Sequence, residues 1–183
     1  YHLQGNNERA IEHYQMALGI HRETGSMGSV GIFLGNMGDP LLQLGRDSEA
    51  EDALREAITI CDDAMPAAAG SFRSTMALLL AKRGEFEEAN ALLDAGEPLL
   101  EQHPDELGKF LCKKASVCLL QDNSTEAQRH LERAKAIRSD LGSTKESALS
   151  QTIVELEVLL EETSPGGQEP SGSGPEPGSE ESA

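Results

Sequence analysis

Apolar residues along this chain recur at helical spacing, and no long stretch alternates as a half-buried strand would. In the stretch "LGRDSEAEDALREAITI", Ala50, Leu54 and Ala57 fall on one face of a predicted helix whose other face is charged. Gly45 stands before that helix as a left-handed stop for the one preceding it, and Asp47 or Ser48 is placed to cap its start. The same arrangement occurs four times. Gly5 is followed by Ala10, Tyr14 and Ala17; Gly45 by Ala50, Leu54 and Ala57; Gly84 by Ala89, Leu93 and Gly96. In the fourth copy Asp122 stands for the glycine, with Ala127, Leu131 and Ala134 after it, so the offsets of 5, 9 and 12 residues are kept throughout. Ahead of the last three turns lies another predicted helix carrying G-x-F, as Gly31-Ile32-Phe33, Gly70-Ser71-Phe72 and Gly108-Lys109-Phe110, spaced 39 and 38 residues apart. The pattern predicts an all-α fold of about three and a half repeated helix, short turn, helix units over 1–25 (the partial one), 28–65, 68–103 and 105–140, seven helices in all. Residues 143–162 add a terminal capping helix, started by a Ser143/Glu146 capping box and faced by Leu149, Ile153, Leu156 and Leu160.

The pattern is interrupted at three places. Pro40 falls inside the first helix of the second unit, where it removes a donor and is expected to kink the helix. Pro98 interrupts the second helix of the third unit. From residue 163 the text "TSPGGQEPSGSGPEPGSEESA" holds five Gly, four Pro, four Glu and no large apolar residue, which predicts a disordered acidic tail over 163–183.

The glycines at 28, 31, 35 and 38 lie on one side of the predicted helix, the arrangement of a close helix crossing or a membrane seam. Asp39-Pro40 follows at once, so an apolar span of about 18 residues cannot form there. Phosphate-binding glycine motifs are absent as well. Gly31 falls in the G-x-F slot, and Gly28 is expected in the inter-repeat loop.

Composition narrows the reading further. Aromatic residues are 3% of the chain and Trp is absent, so the core must be Leu, Ala, Ile and Met on closely packed helices. A formal net charge of −17 disfavours a nucleic-acid partner, and nothing suggests a membrane. Cys61, Cys112 and Cys118 show neither C-x-x-C nor zinc-ligand spacing, and read as reduced, buried thiols of a cytoplasmic chain. Asn123-Ser124-Thr125 matches a glycosylation sequon, which has no meaning without secretion, and no signal peptide is visible. The start at Tyr1 is read as that of a fragment of a longer polypeptide. Histidines 2, 13, 21, 103 and 130 do not cluster, and Glu51-Asp52 and Glu87-Glu88 sit at helix starts where carboxylates favour the dipole. No catalytic residue, metal ligand or cofactor is assigned, and an enzyme is not expected.

"YHLQGNNERAIEHYQMAL" and "LGNMGDPLLQLGRDSEAEDALREAI" resemble tetratricopeptide repeats, in the extended form found in kinesin light chains and in arrays of bacterial regulators. The resemblance implies a right-handed superhelical array of antiparallel helix pairs, with Gly38, Ala77 and Ala115 in the small-residue slot of the first helices. It implies inner-groove positions at Ile32, Gly35, Asn36, Asp39 and Gln43, at Ser74, Leu78 and Lys82, and at Lys109, Cys112, Lys113 and Ser116. Of these, Asn36, Asp39, Gln43, Ser74, Lys82, Lys109 and Lys113 are the candidate partner-binding residues, with Asn36 on a peptide backbone and the three lysines forming a wall for an acidic motif. The implied function is a non-catalytic protein-interaction module taking a peptide or partner domain. The alternative is an intramolecular regulatory segment that docks on an upstream kinase, cyclase or STAND-type ATPase domain of the same bacterial polypeptide.

Overall fold

The computed structural model describes residues 2–142, 144 and 147–163, and among these there is no strand. Eight α-helices follow in order: α1 (His2–Glu23), α2 (Met27–Gln43), α3 (Asp47–Ala64), α4 (Pro66–Lys82), α5 (Phe86–Gly96), α6 (Pro104–Leu120), α7 (Ser124–Asp140) and α8 (Ala148–Thr163). A 3₁₀ turn, Glu97–Leu100, continues α5 around Pro98. This is the expected count of seven helices and a terminal one.

Local chemistry explains the punctuation. Gly45 has a φ of 70°, and its N–H donates to Leu42 O at 3.1 Å while Arg46 N–H donates to Leu41 O at 2.9 Å, which satisfies the last carbonyls of α2. Asp122 adopts the same left-handed conformation at a φ of 57°, with Asn123 N–H donating to Cys118 O at 2.9 Å, so an aspartate closes this turn as Gly45 and Gly84 close the two before it. Pro66 and Pro104 occupy the first positions of α4 and α6, where no N–H is needed. Asn123 caps α7, its Oδ1 accepting from Glu126 N–H at 3.2 Å.

Several local expectations are corrected. α1 runs straight through Gly5 rather than turning there, and Gly28 belongs to α2 rather than to a loop. Neither Asp47 nor Ser48 caps α3; Arg46 holds the cap position without a side-chain bond, and Asp47 and Glu49 lie in the first turn. As expected, Pro40 lies inside α2, which continues to Gln43. The last helix begins at Ala148, not 143, and Ser147 accepts from Ser150 N–H at 3.2 Å in the capping role assigned to Ser143. Ser143, Glu146 and the tail beyond Thr163 lie outside the described residues.

Packing follows the glycines. A β-carbon on Gly38 would lie 2.7 Å from Leu54 Cδ2, and one on Gly31 would lie 2.7 Å from Cys61 Sγ. The partner number falls as the α2 number rises, so α2 and α3 are antiparallel. Ala77 and Ala115, in the corresponding slots of α4 and α6, are fully buried. α4 packs against α3, α5, α2 and α6, and α8 packs against α6 and α7. Phe72 lies directly over bare backbone: a β-carbon on Gly35 would fall 2.2 Å from Phe72 Cζ.

Near the third and fourth units, Glu97 joins two helices. Lys114 of α6 reaches Glu97 Oε2 at 2.7 Å and Arg133 of α7 reaches Oε1 at 2.9 Å. Burial opposes the charged carboxylate, but these two cations outweigh it and hold Glu97 below its ordinary range. His130 is buried beneath this group at 3% exposure, and its Nδ1 has no hydrogen-bond partner among the described residues. Burial first, and then the Lys114 ammonium, hold the imidazole below its ordinary pKa, with Arg129 and Arg133 adding to the effect and Glu97 opposing it.

Two predictions follow from this packing. Gly35→Ala is expected to cost about 1–3 kcal/mol in denaturant unfolding, as is Gly38→Leu, because each overpacks a closed contact. The cost of Gly35→Ala shrinks in a Phe72→Leu background, and strict additivity in that cycle would show that the ring is not the obstacle. For His130 the unfolded chain takes a proton before the folded one does, so stability is lost as pH falls below about 6.5. A His130→Gln variant should lose less stability than the parent between about pH 7.5 and 5.5, and parallel curves would refute the assignment.

Candidate functional site

Residues three and four apart on α2, α4 and α6 bring one face of each helix to a common groove of about 580 Å³. Tyr14 of α1 and Ile32 of α2 line one part, Ala67, Ala68 and Phe72 of α4 its middle, and Glu106, Lys109 and Lys113 of α6 the far wall. The volume is that of a ligand-sized cleft, and its lining mixes apolar with polar and charged side chains in about equal share.

Of the candidate residues, Asn36, Asp39, Ser74, Lys109 and Lys113 line this groove. Asn36 is exposed, and its side-chain amide has no hydrogen-bond partner among the described residues. Ser74 is committed elsewhere: it is 2% exposed and its hydroxyl donates to Ser71 O at 2.7 Å. Gln43 and Lys82 are not part of the lining. Gln43 accepts from Asn7 Nδ2 at 2.8 Å, which ties the end of α2 to α1. Lys82 is exposed in the last turn of α4, a position that suits a cation on dipole grounds. Cys112 is not an inner-face residue either; it is buried between α6 and α8, where burial pushes its thiol up to about 12. Leu78 and Ser116 are also outside the lining, while Ile32 and Gly35 belong to it.

The lysines of the groove are paired. Lys113 Nζ reaches Asp39 Oδ2 at 2.7 Å and donates to Thr75 Oγ1 at 2.6 Å, so one side chain joins α6 to α4 and α2. Lys109 meets Glu106 at 2.6 Å and Asp105 at 3.1 Å, and Ser71 Oγ donates to Glu106 Oε2 at 3.0 Å. Burial alone would lower the Lys109 pKa, but the Glu106 and Asp105 carboxylates outweigh it and raise it. Asp39 and Glu106 therefore balance the two lysines, and the expected free cationic wall is replaced by two closed ion pairs. Tyr14, Thr75 and Glu106 were not anticipated as site residues, although Glu106 lies one turn before Lys109 on the same helical face.

Among the described residues no helix is long and apolar enough to cross a membrane, and no three His, Cys, Asp or Glu side chains are grouped to hold a metal ion. No family model matches the chain, and no curated protein matches it. Its fold is similar to the crystal structure of BtubC (BKLC) from P. vanneervenii, with a TM-score of 0.58 and 19% sequence identity over 76% of this chain. The match spans 59% of that protein's length. At that identity the likeness concerns the fold, and the class of structure is an all-helical one.

The Lys113 strut gives a third prediction. Asp39 is half exposed, so Lys113→Ala should lower the unfolding free energy by only about 0.2–1 kcal/mol, and the difference from the parent should shrink at about 1 M salt. A salt-independent loss would assign the effect to packing of the lysine stem.

Proposed function

We propose that this chain is a tetratricopeptide-type array acting as a non-catalytic protein-interaction module in a cytoplasmic setting, with an extended peptide segment bound in the groove between α2, α4 and α6. The observation that carries this reading is the pairing of an apolar floor, from Tyr14, Ile32 and Phe72, with the unengaged amide of Asn36 beside it. An extended strand has unpaired backbone groups, and an amide offers one donor and one acceptor to meet them. Apolar side chains of the same segment find the floor. With both groove lysines already neutralised, an acidic motif would have to displace Asp39 or Glu106, so an uncharged, apolar segment suits the site better.

Selection of a displayed random-peptide library against the full chain tests this reading. Enriched peptides should be apolar at alternate positions, and Asn36→Ala should weaken their binding at least tenfold, about 1.4 kcal/mol. Gln43→Ala, outside the groove, should leave binding unchanged. Peptides that bind Asn36→Ala as tightly as the parent would place recognition elsewhere and favour the alternative, a segment that docks on another domain of its own polypeptide.

A further inference from the structure

The helices that follow the turns repeat one more position than the alanines do. Ten residues after Ala50, Ala89 and Ala127 stand Ile60, Leu99 and Ile137, each at least partly buried. Two of them lie against the G-x-F glycine of the preceding helix: a β-carbon on Gly31 would fall 2.8 Å from Ile60 Cγ2, and one on Gly70 would fall 3.2 Å from Leu99 Cβ. In α1 the equivalent residue is Ile20, ten after Ala10, and it is 61% exposed. The central position behaves alike. Leu54, Leu93 and Leu131 are at most 2% exposed, whereas Tyr14 is only half buried. α3 packs between α2 and α4, while α1 packs against α2.

We propose that this uncovered face of α1 is a docking surface for one helix of the α2 kind. The repeat defines its chemistry. Gly31 and Gly38, Gly70 and Ala77, and Gly108 and Ala115 are each seven residues apart. The incoming helix therefore carries glycine opposite Ile20 and, seven positions on, a small residue opposite Tyr14. The bulk of Tyr14 leaves no room for a large side chain in that second slot. A second copy of this chain does not supply such a helix through its own open end. One period after Ala115, α8 has Val154 in the small-residue slot, and Glu155, Glu161 and Glu162 would be brought up to Glu8, Glu12 and Glu23 of α1, while Glu157 is already paired with Lys135 of α7. The proposal rests on the repeat register; it shares Tyr14 with the groove, whose other lining residues lie on α2, α4 and α6.

A synthetic peptide of residues 66–84, the α4 segment with Gly70 and Ala77, is the probe, added in trans to the full chain. Saturable binding is expected, with slowed amide exchange in α1. The same peptide with Gly70→Leu and Ala77→Leu keeps its charge and should bind at least tenfold more weakly. Ile20→Asp alters an exposed side chain, so helicity should be unchanged while peptide affinity falls at least tenfold. Absence of saturable binding overturns the proposal, as does equal binding of the leucine-substituted peptide or of the Ile20→Asp chain. Self-association of the chain alone that Ile20→Asp abolishes would assign the face to a second copy and also overturn it.

Discussion

Close approach of helix backbones, made possible by missing side chains, is the constraint on which this structure depends. A core with no Trp and few aromatic rings gains its cohesion from contact distance, and dispersion is forfeited steeply when a gap of even half an ångström opens. Gly31 and Gly38 let α3 settle on α2, and Gly70 lets the end of the third unit settle on α4. The same absence serves the next level of packing. Phe72 rests on Gly35 of the unit before it, and Phe110 rests on Gly96, where a β-carbon would fall 2.9 Å from the ring. Phe33, whose neighbour α1 offers no glycine at that place, stacks on His21 with centroids 5.2 Å apart. Each G-x-F phenylalanine thus fastens its unit to the preceding one, and the glycine two residues earlier serves either a helix pair or, for Gly108, Leu149 of α8.

Much of this was readable from the chain because it is repeated. Fixed offsets after each turn named the buried faces of α3, α5 and α7, and a φ of 57° at Asp122 bears out its reading as a stand-in for glycine. What escaped the reading depends on neighbours in space. Gly5 has the sequence of a turn, yet α1 is continuous through it. Gly28 looked like loop punctuation and is helical beside Met65. At the groove, the resemblance implied Asn36, Asp39, Lys109 and Lys113 as inner positions, and these four line the cleft between α2, α4 and α6. It could not show that Lys113 pairs with a carboxylate 74 residues away, nor that Gln43 turns to Asn7. Faces follow from periodicity; partners follow from the path of the whole chain.

Charge is distributed accordingly. A chain of formal charge −17 would be expected to hold free lysines wherever they occur, yet the two in the groove are enclosed by its own acids. Their side chains are 28% and 20% exposed, so their charges are felt locally and screened less than those on the surface. Lys113 is a strut from α6 to α4 and α2, Lys109 pairs within α6, and the two lysines balance Asp39 and Glu106 in a groove set within an acidic exterior. Long-range repulsion then acts on any acidic partner, while nothing inside the groove rewards it for arriving.

The perturbed titratable groups follow the same packing. Catalytic sites gather shifted groups in one cleft, where a nucleophile or base can reach a substrate. Here they are scattered and structural. Cys112 is sealed between α6 and α8, His130 lies beneath the Glu97 ion pairs, and the lowered carboxyl of Glu51 answers Arg55 and Arg83 on the outer surface. In the groove itself the shifted group is Lys109, raised rather than lowered, which makes it a poorer base and a more permanent cation. The groove thus combines two paired lysines, the apolar side chains of Tyr14, Ile32 and Phe72, and an exposed Asn36 amide with no hydrogen-bond partner among the described residues.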